Sequence, residues 1–323
     1  MKKLFPLLII TSLMLIGCQS QSKVRVIKLA HALDVSHSVH KAMVFMAERL
    51  AEKSKGKMRI DIYPSEQLGA ERELIELLQI GSLAMTKVSA SPLEGFVPEM
   101  KIFSIPYVFR DEDHLWQILK GDIGKRLLLA GQKYYLRGMC YYDAGSRSFY
   151  TKEIPIRRPE DLSGLKIRVQ KSPTSVRMIQ TLGGSATPIA FGELYTALQQ
   201  GVVDGAENNP PSFYLTRHYE VCKYYSLDQH TSVPDIVLMS TVVWESLTPQ
   251  EQQWLQEAVD ESVDHQRQLW KESEAEAMAA VQKAGVEVIY PDKKPFREAV
   301  KPMHESYRGT SVYDLLMEIQ TIE

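Results

Sequence analysis

Two arginines stand in strand-like surroundings and carry the chemistry that recognises a carboxylate. In Leu165-Lys166-Ile167-Arg168-Val169, Ile167 and Val169 share one face of an extended segment and Arg168 takes the other. Ser172-Pro173 opens a helix just beyond, so Arg168 faces the crevice at the end of its strand. Arg147, in Asp143-Ala144-Gly145-Ser146-Arg147-Ser148-Phe149, offers a second guanidinium from a small-residue loop that can adjust. A guanidinium is planar, always charged and forked, which suits bidentate pairing with a carboxylate. By spacing alone the plainer reading, a surface or salt-bridged arginine, stays open for both. Asn208, in Asp204-Gly205-Ala206-Glu207-Asn208-Asn209-Pro210-Pro211, has an amide able to donate and accept toward carboxylate and hydroxyl groups, although Asn-Asn-Pro is also ordinary turn chemistry. Phe191, at the mouth of a helix, can cover a sugar-sized ligand or fill core.

Catalytic constellations are missing from the sequence. It contains no His-Glu-x-x-His, no Gly-x-Ser-x-Gly, no phosphate-binding glycine loop and no paired-cysteine metal spacing. Asp111-Glu112-Asp113-His114 resembles a hard-metal cluster, but Asp111 is well placed as a helix N-cap, with acidic residues complementing the first turn. His37 and His40 imitate a metal pair without an acidic third ligand close in sequence. The expectation is a binding protein that is not an enzyme and needs no cofactor.

The elements that must position these side chains alternate in the manner of an α/β protein. Val24 to Ala30 reads as a strand, Ser36 to Lys55 as a helix capped by Ser36, Met58 to Tyr63 as a strand, and Glu71 to Ile80 as a helix closed by Gly81. Alternation of this kind implies a parallel sheet, whose ligands sit beyond the carboxyl ends of its strands. That places His31 to Asp34, the Gln67-Leu68-Gly69 turn and Ser89 to Ser91 at the candidate site. A second block begins after about residue 140, with a strand at Leu165 to Val169, strand-like Val202-Val203, and helices starting at Ser172-Pro173 and spanning Phe191 to Gln200. Two blocks imply two lobes with a cleft between them. Thr248-Pro249-Gln250-Glu251 is a capping box with proline in the first turn, and neither proline nor glycine follows until Gly285. That is about 37 residues, or roughly 55 Å of helix, enough to lie across both lobes; a break around His265 to Gln268 is the alternative.

Lys2 and Lys3 precede an apolar run, Leu4 to Ile16, that ends in Leu15-Ile16-Gly17-Cys18. The run is about 13 residues against the roughly 20 that span a bilayer, so it reads as a lipoprotein export signal, 1–17, with Cys18 lipidated and 18–23 as tether. The net charge is −2, and −4 once Lys2 and Lys3 are removed, which excludes a basic footprint for nucleic acid. Cys140 and Cys222 could pair in an oxidising compartment or remain two buried thiols.

Five ordered motifs resemble a known family, the extracytoplasmic solute-binding proteins of tripartite ATP-independent periplasmic (TRAP) transporters, the DctP-like group. They are Tyr63-Pro64-Ser65-Glu66-Gln67-Leu68-Gly69, Ile105-Pro106-Tyr107-Val108-Phe109, Leu162 to Arg168, Pro188 to Tyr195, and Val203 to Asn208. The resemblance implies a two-lobed, Venus-flytrap fold like the type II periplasmic binding proteins, with a long helix spanning both lobes. Lobe I would comprise 24–142 with a return near 230–247, lobe II 143–229, the long helix 248–285 and a C-terminal segment 286–323. It also implies capture of an organic acid by a monomer and delivery to membrane permease subunits; the lipobox, which would tether the chain outside the cytoplasm through a lipid on Cys18, departs from the family's common freely diffusing form. The family's carboxylate-pairing arginine falls on Arg168, a second on Arg147, the amide reader on Asn208 and the aromatic on Phe191. A hydroxyl-reading acid falls on Glu71, with Glu73 nearby. His31, Ser89 and Asp235 complete the candidate set; Ser89 stands where sialic-acid binders carry a glutamate. Glu207-Asn208-Asn209, Gln229-His230 and Pro234-Asp235 look most like the branch that binds hexuronates such as glucuronate and galacturonate. Alternatives are a diketogulonate or dicarboxylate binder, a receptor of an ABC importer, or a secreted uronate-processing enzyme.

Overall fold

A computed structural model of the chain describes residues 24–322. The export signal, Cys18 and the tether lie outside those residues. The strands are β1 (Arg25–His31), β2 (Met58–Tyr63), β3 (Met85–Ser89), β4 (Leu136–Tyr142), β5 (Arg147–Thr151) and β6 (Lys166–Val169). Then come β7 (Ser185–Pro188), β8 (Gly205–Asn208), β9 (Tyr224–Thr231), β10 (Asp235–Ser240) and β11 (Glu287–Ile289). They form two mixed sheets, of order β2-β1-β3-β10-β4 and β11-β9-β5-β8-β6-β7.

Alternation along the strands builds a core on each face of each sheet. In β10, Ile236 and Leu238 join one apolar cluster while Val237 and Met239 join the other. Near-continuous apolar strands of this kind are what a sheet covered on both faces requires. In the second sheet, Ile167 and Val169 pack into one cluster, and Ala206 and Tyr225 into another.

The chain passes between the sheets by two short segments, β4 to β5 and β9 to β10. β4 pairs with β10 in the first sheet and β5 with β9 in the second, so the crossings lie side by side as a bent ribbon. At this bend Gly145 has φ +57°, and a Cβ there would meet the Trp270 ring at 3.2 Å. The long helix, Pro249–Lys283, is continuous, with Pro in its first turn and the Thr248/Glu251 capping box in place. Leu255, Ala258, Val259 and Trp270 belong to a first-lobe core, whereas Val281 belongs to a second-lobe core. The helix therefore bridges both lobes without a break at His265 to Gln268. Two later helices divide in the same way: Lys293–Glu305 buries Phe296, Val300 and Met303 in the second lobe, and Ser311–Gln320 buries Leu315, Leu316 and Ile319 in the first.

Several local expectations are corrected. The first helix runs Ser38–Lys53 with His37 as N-cap, accepting the Val39 N–H at 3.2 Å, because Ser36 lies in a turn in which Asp34 accepts the Ser36 N–H on Oδ1 at 2.8 Å and the His37 N–H on its carbonyl at 3.1 Å. Val202-Val203 is not strand: Gly201, at φ +72°, ends the preceding helix, and Val202 N donates back to Ala197 O, so β8 begins only at Gly205. The helix expected from Phe191 starts as a 3₁₀ turn over Phe191–Glu193 and becomes α-helical over Leu194–Gln199. Cys140 and Cys222 are both free and buried, and they sit in core clusters of different lobes, so they form no disulfide. Among the described residues no helix is long and apolar enough to cross a membrane.

Candidate functional site

Arg168 sits on β6, almost fully buried at 2% exposure. Its Nε and Nη2 both donate to the Ile189 carbonyl, at 2.9 and 2.7 Å, which fixes the plane of the guanidinium. Its Nη1 is buried with no partner. Burial pushes the Arg168 pKa below its usual value. A buried cationic donor left open is costly unless an anion meets it.

Arg147 is the first residue of β5 rather than part of an adjustable loop, and its donors are largely committed. Nε bonds Glu207 Oε2 at 2.5 Å, Nη2 bonds Glu207 Oε1 at 2.9 Å and its carbonyl at 2.7 Å, and Nη1 bonds Asn208 Oδ1 at 2.7 Å. Burial opposes the charge on Arg147, yet Glu207 more than offsets it and raises the pKa. Glu207 in turn is held at about 2, because Arg147 and His230 outweigh its own burial. His230 is raised to about 9 against burial by Asp228, 2.9 Å from Nδ1, and by Glu207. Asn208 accepts from Arg147 and from the Asn209 N–H through the same oxygen, leaving its amide donors for the cleft.

Both lobes line the cleft. A cavity of about 450 Å³ takes Leu33, His37, Glu71, Lys87, Ser89, Val233 and Asp235 from the first lobe, and Arg147, Gln170, Phe191, Asn208, Asn209 and Ser212 from the second. Trp270 of the long helix closes its back. An adjoining chamber of about 310 Å³ shares Glu71, Gln170 and Phe191 and adds Arg168, Arg72 and Lys171. On the first-lobe side Lys87 Nζ lies 3.1 Å from Asp235 Oδ2 and 3.6 Å from Glu71 Oε1. Glu71 also accepts the Ser89 N–H at 2.9 Å, and burial raises its pKa.

The structure thus gathers Arg168, Arg147, Asn208, Phe191, Glu71, Ser89 and Asp235 around one cleft. It leaves out His31 and Glu73. The His31 ring is fully buried, bonded to His40 Nδ1 at 3.0 Å and to the Leu33 N–H at 3.1 Å, and it lines neither chamber. Glu73 points outward, half exposed, 3.9 Å from Lys171. Sequence reasoning missed Lys87, Gln170, Ser212 and Trp270. Lys87 was within reach, since it lies two residues before Ser89 on the same strand face and is the one charged residue of β3. Asp111 is the helix cap it was expected to be, with Oδ1 accepting the His114 N–H at 2.8 Å.

Two α/β lobes joined by a bent ribbon and a bridging helix, with polar groups from both converging on one cleft, define a periplasmic-type solute receptor. The chain belongs to the DctP family, bacterial extracellular solute-binding protein, family 7, which matches residues 29–310. It is a solute-binding protein of the TRAP type, and the family is extracytoplasmic. It is similar to a TRAP periplasmic solute-binding protein from a Bradyrhizobium species in complex with α/β-D-galacturonate, at 40% identity and TM-score 0.89 over 92% of this chain and 100% of that one. It is also similar to one from Anaerococcus prevotii with bound α/β-D-glucuronate, at 39% identity and TM-score 0.89 over 92% and 97% of the two chains. The uncharacterized protein YiiZ of Salmonella typhimurium is 39% identical over 92% of this chain and 91% of its own length.

Proposed function

We propose that the chain captures a hexuronate, glucuronate or galacturonate, and catalyses no reaction on it. The observation that carries this reading is Arg168 Nη1, buried without a partner on a guanidinium already held rigid by Ile189 O. A sugar carboxylate supplies the missing acceptor, in a charge-assisted bond whose direction is preset. Asn208 and Arg147 serve as the second polar contact on the same side of the ligand. Lys87, Asp235, Glu71 and Ser89 then read ring hydroxyls with alternating donors and acceptors, Phe191 and Trp270 cover the ring, and the lobes close as the units 24–142 with 230–247 and 143–229. The similar structures with galacturonate and glucuronate support the same ligand class. His31 and Glu73 hold the site's surroundings rather than the ligand.

The captured acid is delivered to TRAP permease subunits, and Cys18 carries a lipid that tethers the monomer outside the cytoplasm. A thermal-shift screen of the mature chain against a library of sugar acids tests the ligand assignment. A ligand that binds only the folded state stabilises it by RT ln(1 + [L]/Kd), so the uronates should give the largest shifts. Cys18→Ala should abolish lipid labelling, and labelling that persists removes the anchor from the account.

A further inference from the structure

The helix Pro173–Thr181 is one hydrogen-bond acceptor short within its own lobe. Of the first-turn N–H groups, Pro173 has none, Ser175 donates to the Ser172 side chain at 2.9 Å, and Val176 donates to the Ser172 carbonyl at 3.0 Å. The Thr174 N–H remains. It donates across the cleft to Glu94 Oε1 at 2.9 Å, and Glu94 belongs to the first lobe, directly after the short helix Ala90–Leu93. Glu94 is only 6% exposed, and its second oxygen is buried with no partner. Burial pushes its carboxyl pKa up, against the bond from the Thr174 N–H. Another first-lobe carboxylate, Glu66, meets the second-lobe Gly192 N–H at 3.2 Å, but that contact is exposed at the rim.

We propose that Glu94 is the latch of the closed cleft: a first-lobe carboxylate that completes a second-lobe helix N-terminus only when the lobes come together. The carboxylate meets both an unpaired N–H and the positive end of the helix dipole. In an open receptor, water satisfies both partners separately. The latched helix follows β6 after three residues, 170–172, so the contact steadies the segment that presents Arg168 and Gln170. Glu94 lines neither chamber. It is a positioning residue that holds the captured solute without touching it. The inference goes beyond the uronate reading and rests only on the chain being a closing receptor.

Dissociation kinetics of D-glucuronate and D-galacturonate from the mature chain test it, with Glu94→Ala and Glu94→Gln beside the wild type. A latch formed after encounter acts on the off-rate. Glu94→Ala should therefore release the uronate about tenfold faster or more, the scale of a lost charge-assisted bond. Its association rate and ligand-free melting temperature should stay those of the wild type. Glu94→Gln keeps an acceptor and loses the charge, so it should fall between. Unchanged off-rates overturn the latch, as does a ligand-free melting temperature that falls in step with affinity, since that marks a structural residue. If the wild type binds neither uronate, the ligand assignment fails and the latch does not. The same comparison is then made with the sugar acid that shifts melting most, and equal off-rates there overturn the latch.

Discussion

Arg168 and Arg147 carry the same charge and have different spare valences, and that difference sets what each substitution does. Arg168→Lys keeps the charge and loses the fork that Ile189 O orients. Uronate affinity should fall on the order of 10²-fold by calorimetry while the ligand-free protein melts normally, because charged hydrogen bonds are worth about 1.5–3 kcal/mol each. Arg147→Leu instead leaves Glu207, 2% exposed, with His230 as its one remaining charged neighbour in the interior. Breaking one side of a buried pair costs about 3–5 kcal/mol, so its unfolding midpoint in urea should drop sharply with or without ligand. Three buried histidines add a pH dependence. His31 is held down to about 2, and His37 and His218 to about 3, mainly by burial. Each contributes stability above its unfolded pKa of about 6.5 and loses it as pH falls, at up to about 1.4 kcal/mol per pH unit. His230, raised to about 9, has the opposite sign: its contribution is present at low pH and lost as pH rises through about 9. Melting temperature should therefore fall between pH 7 and 5, and His218→Gln should flatten that fall; a flat wild-type profile contradicts the assignment.

At the scale of elements, the long helix carries both stability and geometry. Ser262, Gln266 and Trp270 lie one turn apart on its buried face. They meet successive residues of the crossing ribbon: Ser262 Oγ bonds the Tyr142 hydroxyl at 2.6 Å, Gln266 pairs with both the N–H and the carbonyl of Asp143 at 2.7 and 2.8 Å, and Trp270 packs on Gly145. Gln266→Leu leaves those two backbone groups buried and unpaired, at about 1–3 kcal/mol apiece. It should lower the unfolding free energy by a few kcal/mol and loosen ligand binding; normal stability would show that the pairing does not pin the ribbon. The capping box and the unbroken run to Gly285 made this helix legible in the sequence. The stripe that includes Trp270 was legible as apolar, but helical spacing cannot tell a residue that fills core from one that backs a cavity. Ser36 was the better N-cap by residue type, but the Asp34 turn, closed by the Ser36 and His37 N–H groups, takes Ser36 out of the helix and leaves His37 to cap Val39. Val202-Val203 looked like strand because β-branched pairs favour strands, whereas Gly201 had already committed them to a helix terminus.

Over the whole molecule, strand alternation put Arg168 on the face away from Ile167 and Val169, whereas Arg147 and Asn208, read by spacing as loop and turn, were assigned to the site only through the resemblance and prove to lie on strands. The first-lobe half was less legible: Lys87 reaches the cleft from the middle of β3, and its partners Glu71 and Asp235 come from sequence positions more than 160 residues apart, which only the β3–β10 pairing brings together. The second-lobe side of the cleft offers one open cationic donor, Arg168 Nη1, against a mixed first-lobe side of Lys87, Glu71 and Asp235. A neutral hexose presents a hydroxymethyl where the uronate presents its carboxylate, and it leaves Arg168 Nη1 unpaired. Calorimetric titration of the wild-type mature chain with D-glucuronate, D-galacturonate and D-glucose is the most direct measurement. At least one uronate should bind with an affinity that glucose fails to approach by 10²-fold or more, on the order expected for a buried charged group left without its partner. Equal binding of glucose and glucuronate would contradict the assignment of the cleft to a sugar carboxylate.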